Sequence, residues 1–152
     1  MANYIETRIR YDKMRDNGTI KKTTERFLVD ALSFTEAEAR IIEEQTPYIS
    51  GDFTVSAVKK SKVAEIMRDE IGDKWYRAKV VFITIDEKTA AEKRTPTIIM
   101  VQAANFKAAL SNLEVGMRGT MADWDVAEIA ETPIMDVYDF KGNARPEHTD
   151  QH

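Results

Sequence analysis

Val29-Asp30-Ala31-Leu32-Ser33-Phe34-Thr35-Glu36-Ala37 and Val101-Gln102-Ala103-Ala104-Asn105-Phe106-Lys107-Ala108-Ala109 decide the fold, because the second stretch restates the first at an offset of 72 residues. Val29, Ala31, Phe34 and Ala37 recur as Val101, Ala103, Phe106 and Ala109. Each stretch reads as an apolar strand end, a polar residue able to cap a helix, and an alanine-bearing helix start. Working outward at the same offset, Tyr4 falls on Tyr76. After a slip of one residue, Asp52 falls on Asp123, Phe53 on Trp124, Val55 on Val126 and Val58 on Ile129. A repeat of this length is a whole supersecondary unit rather than a solenoid module.

The elements follow from local chemistry. Ile5, Thr7, Ile9 and Tyr11 alternate with Glu6, Arg8 and Arg10, the period of a half-exposed strand over residues 4–14. Asp16-Asn17-Gly18 is a hairpin turn, since Asn and Gly accept the positive φ of a type I′ turn. The return strand covers Lys21 to Ala31. Ser33 or Thr35 caps a helix with Ala37, Ile41 and Ile42 on its apolar face, and Pro47 closes it. A third strand runs from Phe53 to Lys60, and Val63 to Met67 continues it beyond a bend or forms a fourth. In the second copy, Trp75 to Ile85 is a strand, Glu87 to Arg94 a charged hairpin tip and Thr97 to Ala103 the return. Asn105 caps a helix ended by Gly116 and Gly119. Trp124 to Ala130 is the next strand; Pro133 interrupts it, and Ile134 to Phe140 resumes as a bent or edge strand.

The expected architecture is therefore α+β: a duplicated β-β-α-β(-β) unit, with antiparallel sheet or sheets carrying two helices about a pseudo-two-fold axis. The first repeat occupies residues 1–68, the second 74–140, the two share one globular domain, and 141–152 is a disordered tail. Val29/Val101 and Phe34/Phe106 read as shared core positions. Outward positions diverge: Asn3 faces Trp75, and Lys59-Lys60 faces Ala130-Glu131. Function is sought in that asymmetry.

Composition narrows the chemistry. The chain has 152 residues, no cysteine and two histidines, His148 and His152, both in the tail. Disulfides, thiolate nucleophiles and Cys-ligated zinc are excluded, and no imidazole is placed in the body for general-base or triad chemistry. Asp86-Glu87 and the pair Asp123 and Asp125 are the oxygen donors to consider for Mg²⁺. They sit at a hairpin tip and around Trp124, where solvated surface positions explain them. No phosphate-binding Gly-x-x-x-x-Gly-Lys loop occurs. The expectation is a protein without catalytic residues, metal or cofactor. The start, Met-Ala-Asn-Tyr-Ile-Glu-Thr, has no apolar core of a signal peptide, so a cytoplasmic location away from membranes is expected.

The net charge of −4 counts against avid duplex binding, but the charge is uneven. Around the first hairpin, Arg8, Arg10, Lys13, Arg15, Lys21, Lys22 and Arg26 stand against Glu6, Asp12, Asp16 and Glu25. Single-stranded nucleic acid is held by aromatic rings that stack bases and cations that follow phosphates. Tyr4, Trp75 and Tyr76 are the candidate rings; Arg8, Arg10, Lys59, Lys60, Arg77 and Lys79 are the candidate cations. The competing reading has these rings closing the core at the sheet ends, with the cations on solvated strand faces.

Lys74-Trp75-Tyr76-x-x-Lys79-Val80, Asp86-Glu87-Lys88-Thr89-x-x-Glu92-Lys93, Met100-Val101-Gln102-Ala103, Gly119-Thr120-Met121-x-Asp123-Trp124 and Glu131-Thr132-x-Ile134-Met135-Asp136-Val137 resemble a domain-of-unknown-function family of Bacteroidetes and crAss-like bacteriophages. The resemblance spans most of residues 74–140 and, more loosely, the first half. It implies a small cytoplasmic protein of a phage or mobile element and carries no catalytic or binding residue with it. The functional expectation is a non-enzymatic nucleic-acid-binding accessory that favours single strands. The alternative is a protein- or nucleotide-binding module, such as a counter-defence or host-takeover protein. Partners on these readings are single-stranded nucleic acid, a host or phage protein, or further copies of the chain.

Overall fold

Alternating apolar residues turn the first fourteen positions into a strand. In the computed structural model, which describes residues 2–141, β1 spans Tyr4–Met14 and β2 Ile20–Asp30. The turn between them is not the expected type I′: Gly18 takes φ +85 but Asn17 does not take a positive φ, and the Arg15 carbonyl accepts from the Gly18 N–H at 2.9 Å. Helix α1 covers Phe34–Gln45; its N-cap is Ser33, whose hydroxyl accepts from the Glu36 N–H at 3.1 Å. A 3-10 turn over Thr46–Tyr48 follows, with Pro47 inside it. β3 is Phe53–Lys60 and β4 Val63–Met67. The second half runs β5 (Lys74–Ile85), β6 (Glu92–Ala103), α2 (Phe106–Gly116), β7 (Asp123–Thr132) and β8 (Ile134–Tyr138). Asn105 caps α2 by accepting from the Ala108 N–H at 2.9 Å.

The second hairpin is longer than its composition suggests. Its ladder reaches Ile85 opposite Glu92, so Lys93 and Arg94 lie in β6 and the charged tip shrinks to the turn between the strands. The Asp86 carboxylate closes that turn by accepting from the Lys88 and Thr89 N–H groups at 2.8 and 3.2 Å. A solvated turn, not a cation site, accounts for this aspartate.

There are two sheets, ordered β3-β1-β2-β8 and β4-β6-β5-β7. Three strands of each are antiparallel, as expected, but the fourth is not. β8 runs parallel to β2, with Tyr138 opposite Val29, and β4 runs parallel to β6, with Met67 opposite Val101. Val63 to Met67 is thus a separate strand and no continuation of β3. One compact unit ends at Ser61 and resumes at Ile134; the other is Lys62–Pro133. The last strand of each sequence half therefore completes the sheet of the other unit.

In the first unit α1 packs on Ile5, Ile9, Phe27 and Val29 through Ala37 and Ile41. In the second, Tyr76, Ala78, Val80, Ile99 and Val101 meet Ala109 and Leu113 of α2. Burying a side chain such as Ile41 or Leu113 contributes about 1.5–3 kcal/mol. Phe34 and Phe106 are not core residues: each opens its helix with 53% of its surface exposed, and the alanine three positions on is buried instead. Strand register also corrects the pairing of tyrosines. Ile5 lies opposite Val29 and Tyr76 opposite Val101, so Tyr4 holds the place in its hairpin that Trp75 holds in the other.

Candidate functional site

The three candidate rings are interior. Trp75 is 1%, Tyr76 3% and Tyr4 8% exposed. Alternation on β5 sends Tyr76 toward α2, while Trp75 and Tyr4 lie on the faces opposite the helices. Rings buried to this degree present little surface on which a base could stack. Trp124 is half-buried against the α2 core, as its alignment with Phe53 suggested.

The candidate cations divide between the units. Arg8, Arg10, Lys59 and Lys60 belong to the first, Arg77 and Lys79 to the second. Lys59 is 3.6 Å from Glu6, which also draws Arg26 at 3.9 Å, and Arg77 is 3.7 Å from Glu128. Arg10 and Lys60 are exposed, while Arg8 and Lys79 are half-buried. Arg8 stands directly opposite Arg26 in the ladder, and Lys13 opposite Lys21. Like charges directly opposite each other destabilise a sheet. The Arg8 Nε is in addition buried without a hydrogen-bond partner among the described residues. The first hairpin thus keeps its positive charge at a cost to its own stability.

A groove beside this hairpin escaped the sequence reading. α1 ends at Gln45 while β1 and β2 extend past it, leaving Tyr11 and Glu25 uncovered by the helix. The 3-10 turn then swings Tyr48 out to 81% exposure. Two cavities share Tyr11, Tyr48 and Ile49. One, of about 450 Å³, runs along Lys13, Met14 and Ile20 of the hairpin. The other, of about 350 Å³, is walled by Glu25, Asp136 and Tyr138. Pro47-Tyr48 behind the helix was the available signal: Pro ends the helix, and an aromatic just beyond it has no helix face to bury against.

Electrostatics in the second cavity favour protonated phenols. Burial raises the Tyr138 pKa to about 12, with the Asp136 and Glu44 charges adding to it, although the Gln45 amide donates to its hydroxyl at 2.7 Å. Tyr11 is raised by burial first and by Glu25 second. Tyr138 stacks on Phe27 at 6.0 Å, and the Arg40 guanidinium lies 5.7 Å from its ring centre.

Two sheets, each with one helix packed against it, define a small α+β protein. Among the described residues no group of three or more His, Cys, Asp or Glu could hold a metal ion; Asp123 is exposed, and Asp125, also exposed, lies 4.0 Å from Arg94 and accepts from the Val126 N–H at 2.9 Å. No helix among them is long and apolar enough to cross a membrane. A family model described as Domain of unknown function (DUF4494) matches residues 3–140, and the chain belongs to that family. No curated protein and no solved structure matches it.

Proposed function

We propose that the protein is a non-enzymatic nucleic-acid-binding accessory of a phage or mobile element, holding single strands through its first hairpin. The observation that carries this reading is the net charge of that hairpin. Between Glu6 and Arg26, seven cations meet four carboxylates in a chain of net charge −4. Like-charged pairs such as Lys13 opposite Lys21 are relieved when phosphates lie between them. The stacking role passes from the buried rings to Tyr48, exposed across the groove from Lys13. The phage or Bacteroidetes setting rests on the sequence resemblance alone.

Duplication of a β-β-α-β-β unit with pseudo-two-fold symmetry belongs to the same proposal. Its support is in the irregularities. The β1–β3 ladder shifts register between Arg8 and Ile9, and the β5–β7 ladder between Lys79 and Val80. The parallel pairs shift at Arg26/Phe27 and at Val63/Glu65, with Ile98 and Ile99 in the places of Arg26 and Phe27.

Fluorescence anisotropy of a labelled oligonucleotide tests the function. About four phosphate contacts give a log–log salt slope near −3 on a single strand. Combined Lys13→Ala, Arg15→Ala, Lys21→Ala and Lys22→Ala substitution should bring that slope close to zero. Absence of binding by the unaltered protein at about 50 mM salt removes the reading. A protein-binding role, the second reading, is favoured by the aromatic and acidic cavity beside the hairpin.

A further inference from the structure

We infer that the cavity between Tyr11, Tyr48 and Tyr138 is a receptor for a single arginine side chain presented by a partner peptide. Three features point to this chemistry. The walls combine tyrosine rings with carboxylates, the pairing that attracts an organic cation through both its charge and its face. Glu25 and Asp136 have no lysine or arginine within ion-pair distance among the described residues. Glu25 lines the wall beside Tyr11, whose pKa its charge helps to raise, and Asp136 accepts from the Val137 N–H at 2.8 Å. Glu44 of the same cavity is already paired with Arg40, which leaves Glu25 and Asp136 as the carboxylates complementary to an external cation. No group of three or more His, Cys, Asp or Glu among the described residues could hold a metal ion, and a wall that mixes rings with carboxylates suits a planar guanidinium.

The fold itself displays the mode of recognition. Arg40 lies over the Tyr138 ring while its Nε donates to Glu44 at 2.6 Å, so one guanidinium is already held between ring and carboxylate on this wall. The cavity repeats those ingredients with Tyr11, Tyr48, Glu25 and Asp136, and its volume of about 350 Å³ admits one side chain. Tyr138 is already stacked on Phe27 and covered by Arg40, so Tyr11 and Tyr48 are the rings that face the incoming cation. This inference is independent of the nucleic-acid reading: it uses the acidic side of Tyr48, not the cationic hairpin.

The experiment is an NMR titration of the full chain with three blocked tripeptides, Gly-Arg-Gly, Gly-Lys-Gly and Gly-citrulline-Gly. Citrulline keeps the shape of arginine and lacks the charge. The arginine peptide should shift the ring signals of Tyr11, Tyr48 and Tyr138 and bind at least about tenfold more tightly than either of the others. Asp136→Asn preserves the acceptor used by Val137 and Glu25→Gln preserves the side chain's shape, and each should weaken binding about tenfold with unchanged thermal stability. Equal shifts from the citrulline peptide, equal binding of the lysine peptide, or no movement of these rings at millimolar arginine peptide would each overturn the proposal.

Discussion

The two sheets share an order, a helix position and the places of their register shifts, yet they treat corresponding positions in opposite ways. In the first unit Tyr138 lies opposite Val29 at the rim of an open cavity. In the second, Met67 lies opposite Val101 at the equivalent position and packs against Gly116 at the end of α2. Glu25, two residues before Phe27, has Thr97 as its counterpart two before Ile99. Arg26 opposite Arg8 becomes Ile98 opposite Lys79. The second hairpin tip balances Asp86, Glu87 and Glu92 with Lys88, Lys93 and Arg94. Tyr138 borders an open cavity in one unit where Met67 packs beneath a helix end in the other, and the binding surface proposed above lies in the first unit.

The largest effects should come from the second unit. Trp75→Ala removes a fully buried ring and should cost about 3–5 kcal/mol, read as a lower urea midpoint. A normal midpoint would mean the ring is available to ligand after all. Gly72→Ala places a Cβ 2.4 Å from the backbone of Ala103, which cannot give way, so a loss of about 3 kcal/mol is expected in the same assay. Gly116→Ala meets only the flexible end of Met67 and should cost clearly less, about 1 kcal/mol. If Gly116→Ala proved the more damaging, the account of how the second unit is closed would be wrong.

The cap substitutions compare the units on equal terms. Ser33→Ala and Asn105→Ala each delete one acceptor for a helix N–H and should each cost about 1 kcal/mol. A difference much beyond that would show that the helices carry unequal shares of their units. The smallest effect is in pH dependence. The folded pKa of Tyr138, about 12, lies above its ordinary value of 10.0, so the folded state holds this proton more tightly. That contribution is complete below pH 10 and is lost as pH rises toward 12. Tyr138→Phe should flatten the fall in urea midpoint across this window; an unchanged fall would place the titration on another group.

The strand-to-helix junctions were legible because caps and periodicity are local: Ser33, Asn105 and the Asn17-Gly18 turn act on their own neighbours. The parallel pairing of β4 and β8 was not. A five-residue segment such as Val63–Met67 fits any open sheet edge, and nothing within it names its partner. Burial was less legible. Trp75 and Tyr4, which open strands next to cations, read both as stacking platforms and as core-closing rings, whereas Phe34 and Phe106 read as core because they match. A match at the first turn of a helix reports a shared cap geometry as readily as a shared interior. Of the binding surface, the cationic hairpin was visible as charge; the groove was not, because it depends on where α1 stops relative to β1 and β2.

The most direct test of the central claim compares the two hairpins in one oligonucleotide-binding assay at low salt. Removing the cations of the first (Lys13, Arg15, Lys21 and Lys22 to Ala) should abolish salt-dependent binding, while removing those of the second (Lys88, Lys93 and Arg94 to Ala) should leave it intact. Equal losses from both, or a loss from the second alone, would contradict the assignment of function to the first unit.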